Sequence, residues 1–227
     1  MKIIPASFDL NFSLIEGTDM VHHIERCARV CFKSEDKIEN YLDNTAEKMI
    51  KSLIKNGHLA MLEHASFSVL LTVSRSFTHD IVRQRLCSFA QESQRFCSYD
   101  EDKFGNEITF IKPCYFEEDS YSYRCWKESC EMAENAYFNL IGCGKSPQAA
   151  RMVLPNSVKA DIVITANLRE WRHIFELRAA GTTGSPSPEV LEIMIPLLKE
   201  VQKQIPYVFD NVIPYVFDNI IPLGVEK

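Results

Sequence analysis

The sequence predicts an α+β fold, a central sheet flanked by helices in a single domain. Segments of strict two-residue alternation are intermixed with segments of helical periodicity, without the regular strand–helix alternation of a doubly wound fold. A chain of 227 residues, 46% hydrophobic and 25% charged, is long and apolar enough to bury a substantial core. No run approaches the roughly 18–20 consecutive apolar residues of a membrane span.

The elements follow in order. "MKIIPASF" reads as a strand edge. Over 19–33, Val21, Ile24, Ala28, Cys31 and Phe32 recur at helical spacing. "DNTAEKMIKSLIKNG" offers Asn44 as cap with Glu47 at the third helical position, apolar residues at 46, 49, 50, 53 and 54, and Gly57 as terminator. "HASFSVLLTVS" alternates, with Phe67, Val69, Leu71 and Val73 on one face of a strand. A helix is expected over about 76–86, a short strand in "EITFIKP", and a long polar helix over 118–141. "SPQAARMVLP" makes a short helix with Ser146 as cap and Pro147 in its first turn. "SVKADIVITAN" is a strand, "LREWRHIFELRAA" a helix and "GTTGSPSP" a turn-rich loop. An amphipathic helix runs from Pro188 to Gln204. The domain is assigned to 1–204. In the tail, 205–227, "IPYVFDNV" is followed directly by "IPYVFDNI". Two copies are too few for a solenoid, so the repeat reads as a local duplication with one copy packed.

A net charge of −6 argues against a general nucleic-acid binder. The N-terminus lacks the features of a secretory signal, and a cytoplasmic protein is expected. The eight cysteines show no C-x-x-C spacing, which favours reduced, structural thiols over disulfides. Cys27 and Cys31, one turn apart, fit burial on a helix face as well as ligation.

Against this acidity, "VRQRLCSFAQESQRF" over 82–96 gathers Arg83, Arg85 and Arg95 with Ser88, Gln91, Glu92, Ser93 and Gln94. Guanidinium groups bind phosphate bidentately, and the cluster suits a small anion; a solvated charged face fits the pattern equally. With 167–178 helical, Leu168, Trp171, Ile174, Phe175 and Leu177 form an apolar arc, with Arg169, Arg172, His173 and Glu176 opposite. Arg178 falls inside the apolar arc. There it needs an anionic or carbonyl partner, or it snorkels out at the helix end. His58, Glu63 and His64 in "GHLAMLEH" lack the H-E-x-x-H spacing, which favours structural roles over metal ligation; no metal is expected. Neither G-x-G-x-x-G nor a Walker A nor a G-x-S-x-G elbow is present.

Taken together, Arg83-x-Arg85, seven residues, then Ser93 resembles the signature of the flavin-dependent thymidylate synthases, Arg-His-Arg, seven residues, Ser. "GHLAMLEH", "ARMVLP" and "NLREWRHIFELR" resemble that family's other segments in order and spacing, over roughly 19–205. The resemblance implies reductive methylation of dUMP to dTMP, with methylenetetrahydrofolate as carbon donor, FAD as hydride source and NADPH as its reductant. It also implies a homotetramer with active sites built across subunits. FAD would be met by Ala60, Arg83, Gln84, Arg85, Gln91, Asn167, Leu168, Arg169 and His173. The nucleotide would be met by Asp80, Arg83, Gln91, Glu92, Ser93, Gln94, Arg95, Arg151 and Arg178. Arg178 would be catalytic, lying against the uracil and favouring its N3-deprotonated form. Ser93 would bind substrate rather than attack it, having no histidine nearby in sequence to activate it.

The chain departs from the family pattern at four places. Gln84 replaces the central His, Ala60 stands where Ser or Thr is common, Asp80 replaces Gln or Glu, and "AAGTTGSPSP" lacks the expected His. These motivate one rival reading, a non-catalytic nucleotide- or flavin-binding relative. Another is a single-strand-binding module using the arginines with Phe89, Phe96 and Tyr99.

Overall fold

A nine-residue strand at the centre of the structure meets partners on both edges, and the site is built around it. The structure is a computed structural model, and it describes residues 1–10, 17–38, 45–101 and 105–213. The expected sheet divides in two. One is a parallel pair of β1 (Lys2–Ile4) and β5 (Thr109–Ile111). The other is antiparallel, in the order β2 (Ser7–Asp9), β3 (Ser66–Ser74), β6 (Lys159–Asn167) and β4 (Ser88–Gln91). β3 and β6 pair along their full length, from Ser66 opposite Asn167 to Ser74 opposite Lys159.

β4 corrects the sequence reading, which carries a helix through to residue 86. The helix α3 spans only Arg75–Ile81. Turns follow, and Ser88–Gln91 then adds to the free edge of β6. Propensity within this polar stretch does not announce a strand; the unpaired edge of β6 recruits it.

The alternating residues Phe67, Val69, Leu71 and Val73 of β3, with Ile162, Ile164 and Ala166 of β6, are buried in one core. That core also holds side chains of α1 (Gly17–Phe32), α2 (Thr45–Lys55), α6 (Leu168–Arg178) and α7 (Pro188–Gln204). A second cluster, including Tyr99, Phe110, Tyr137 and Val158, lies under α4 (Tyr121–Gly142) and α5 (Pro147–Ala150). α7 is more deeply embedded than its expected amphipathic pattern, burying eight side chains from Val190 to Val201.

Some element ends are set by local chemistry, and of the sequence expectations Gly57 holds. Ser120 and Ser187 cap α4 and α7, accepting from the N–H groups of Tyr123 and Val190. Gly57, at φ +73°, follows the end of α2 in the left-handed region. Gly17 is required for another reason: a Cβ there would stand 2.0 Å from the Gln204 carbonyl oxygen. Other signals do not hold. Ser146 precedes α5 without a side-chain capping bond. Asn44 lies outside the described residues. On α1 only Val21, Ile24 and Ala28 of the expected stripe are buried, while Cys31 and Phe32 are exposed. All eight cysteines are free thiols.

The tail closes the core. Ile205, Val208, Phe209 and Val212 of the first repeat copy are buried, and Phe209 packs edge-on to Phe67 and Phe175. The second copy, past Ile213, lies outside the described residues.

Candidate active site

α6 begins where β6 ends. Asn167 caps it, its side-chain oxygen accepting from the Glu170 N–H at 2.8 Å. Trp171 then stacks on Phe67, with centroids 4.8 Å apart, and its Nε1 donates to the Phe67 carbonyl. This anchorage leaves Asn167, Arg169 and His173 lining a cavity of about 510 Å³ with Leu59, Glu63 and Leu86, a volume within the small-molecule range. Glu63 accepts from Arg169 at 2.6 Å. Residues of "GHLAMLEH", of the arginine-rich segment and of "NLREWRH" thus meet in one cavity.

The expected flavin set does not all converge within this chain. Leu168 is wholly buried in the core, because the first residue of α6 must seal the sheet. Its N–H is spent on the Ala65 carbonyl, so neither its side chain nor its N–H faces the cavity. Gln84 is buried. Ala60 is exposed on the short 3₁₀ turn Leu59–His64 and does not line the cavity. Arg83 and Arg85 are exposed, with no hydrogen-bond or ion-pair partner among the described residues.

The second half of the site surrounds the turn after β4. Ser93 opens it, its carbonyl accepting from the N–H groups of Phe96 and Cys97 and its hydroxyl from the N–H of Arg95. Arg95 donates from Nε to Gln148 of α5 at 3.0 Å, which ties in the segment carrying the half-buried Arg151. Gln91 donates to the Thr78 hydroxyl at 3.1 Å. Glu92, expected on the nucleotide, turns its carboxylate elsewhere: Lys159 Nζ lies 2.6 Å from Oε2 and the Tyr99 hydroxyl 3.2 Å from Oε1.

Arg178 is half-buried and has the carbonyl partner that one of its two readings requires. Its guanidinium donates to the Asp80 carbonyl at 3.1 Å, bringing two of the expected nucleotide residues together. Its Nε is buried with no partner among the described residues, an unspent donor where one normally carries a cost.

Arg172 is the residue the helical wheel misplaces. It is buried, not solvated, donating to the carbonyl of Val208, to Asn211 at 2.9 Å and to Glu176. The tail covers the helix face assigned to water. Burial lowers the pKa of this arginine from its ordinary value, with Glu176 opposing. Burial, and then the charge of Glu170, pushes the Cys87 thiol up to about 12, which disfavours its thiolate at neutral pH. No group of three or more potential ligands among the described residues is placed to hold a metal, and no described helix is long and apolar enough to cross a membrane.

Comparison with known proteins bears directly on these features. The family described as thymidylate synthase complementing protein matches residues 13–207. The flavin-dependent thymidylate synthase of Pyrococcus furiosus is 34% identical over 172 residues, covering 75% of this chain and 68% of its own. That of Corynebacterium aurimucosum is 31% identical over 204 residues, covering 83% and 78% respectively. The crystal structure of the UMP/dUMP methylase PolB from Streptomyces cacaoi, bound with 5-Br dUMP, superposes with a TM-score of 0.74 at 21% identity, covering 92% of this chain and 95% of PolB. The convergence of the ordered motifs on α6 and the turn after β4, with relatives of this similarity over most of their length, places the chain in the flavin-dependent thymidylate synthase family.

Proposed function

We propose that the protein converts dUMP to dTMP, taking the carbon from methylenetetrahydrofolate and reducing power from NADPH through FAD. The observation that carries this reading is Arg178, held at one end by the Asp80 carbonyl and left with a buried, unspent Nε. A fixed cation beside an imide favours its deprotonated form and the negative charge that develops at C5. That stabilisation counts because it grows as the charge grows.

The residues present fit a flavin nucleotide. Two exposed guanidiniums, Arg83 and Arg85, are uncommitted among the described residues, and the cavity presents Asn167, Arg169 and His173. When bound, the flavin supplies the hydride. Ser93, Gln94 and Arg95 would hold the nucleotide's phosphate, with Arg151 beside them, and Gln91 would orient the base. Because Arg83 and Arg85 do not line the cavity of their own chain, this reading places them in the site of a neighbouring subunit in a homotetramer.

The purified protein is expected to show a flavin absorbance band after gel filtration and to form dTMP from dUMP with NADPH and methylenetetrahydrofolate. Protein that stays colourless after reconstitution with FAD, yet binds dUMP, would instead establish a non-catalytic relative. Ala60 and Gln84 would then be the first residues to restore to the family's Ser and His.

A further inference from the structure

Glu92 is fastened at both backbone groups and both carboxylate oxygens. Its N–H donates to the Asp161 carbonyl at 2.9 Å, extending the β4–β6 ladder by one residue. Its carbonyl accepts from Arg75 at 2.7 Å. Oε1 accepts from Tyr99 at 3.2 Å; Oε2 accepts from Lys159 at 2.6 Å and from the Asp161 N–H at 3.3 Å. The carboxylate side chain is 10% exposed and Lys159 19%. Lys159 is shared, its ammonium also lying 2.7 Å from Asp161. Burial alone pulls Lys159 down, but hydrogen bonds to Asp161 and Glu92 outweigh it and keep the pKa raised. The next residue is Ser93, which opens the turn carrying Arg95.

The geometry points to Lys159 as a positioning residue that orders the Ser93–Arg95 turn through Glu92 and so sets the affinity for the nucleotide's phosphate. This rests on the reading of that turn given above. Removing the ammonium takes away the cation that the carboxylates of Glu92 and Asp161 share, and the more buried of the two, Glu92, is then expected to leave its place. A cavity of about 340 Å³ bordered by Lys2, Glu92, Tyr99, Glu107 and Lys159 gives it room to do so. The turn then keeps only the backbone bonds of Glu92 at its entry, and the nucleotide must order the rest on binding.

The test uses the full-length, flavin-loaded protein. In Lys159→Met the dissociation constant for dUMP is expected to rise about 10- to 100-fold, the ordering cost of one or two residues. The turnover number at saturating dUMP and the flavin content should stay within about threefold, because the Asn167–Arg169–His173 cavity is elsewhere. Trypsin cleavage after the exposed Arg95 should quicken about tenfold, reporting turn order without any nucleotide. Lys159→Met combined with Glu92→Gln should recover most of the affinity, since glutamine can still accept from Tyr99 without a stranded charge. Unchanged dUMP affinity and cleavage in Lys159→Met would overturn the assignment. So would equal losses of affinity, turnover and flavin that the double variant does not relieve, which would mark a general structural role. If the unsubstituted protein fails to bind dUMP, the nucleotide reading itself falls. The cleavage assay then still decides whether Lys159 orders the turn.

Discussion

Arg178 and Arg172 lie on one helix, six residues apart, and of the two the helical wheel misplaces Arg172. Arg178 was expected in the apolar arc and is half-buried, held to Asp80 with Nε unspent. Arg172 was expected in water and is sealed under Val208 and Asn211. The two therefore predict different phenotypes. Arg178→Ala should lower turnover by roughly 100- to 1,000-fold, the usual loss for a fixed transition-state donor. Flavin content and melting temperature should be nearly unchanged. Loss of flavin in step with turnover, measured by absorbance on the same sample, would make Arg178 a structural residue instead.

At the scale of the element, α6 and the first repeat copy are one unit. Phe209 meets Phe67 and Phe175 edge-on, Gln202 of α7 donates to the Phe209 and Val212 carbonyls, and Arg172 takes the Val208 carbonyl just before them. Phe209→Ala should therefore cost roughly 3–5 kcal/mol, the range for emptying a buried aromatic site. Urea unfolding checks it. A loss below about 1 kcal/mol would mean that something else fills the vacated site. β4 is the contrasting element. Its residues have weak strand character, and it exists because β6 offers an edge; the segment that then leaves β4 is the turn bearing Ser93 and Arg95.

For the whole molecule, three large apolar side chains stand exposed beside the proposed site arginines. Leu86, Phe96 and Met152 are 73%, 76% and 79% exposed, each next in sequence to a site arginine: Arg85, Arg95 and Arg151. In the proposed homotetramer these side chains would be covered by a neighbouring subunit. Met152→Asp is expected to yield a smaller species in sedimentation velocity, with lower flavin content at equal protein concentration. An unchanged sedimentation coefficient would remove Met152 from the interface.

What the sequence determined by itself is local or ordered along the chain. The alternation of β3 and β6, the periodicity of α2, α6 and α7, the glycine that ends α2, and the motif order that carries the family resemblance need no distant partner to be legible. Only the tertiary structure decided the rest: the strand at Ser88–Gln91, the burial of Arg172 beneath the tail, the inward turn of Glu92 onto Lys159, and the meeting of Arg178 with Asp80. Each joins residues far apart in sequence. A side chain's burial and charge partner are set by which elements pack against it, and periodicity reports only the face on which it stands.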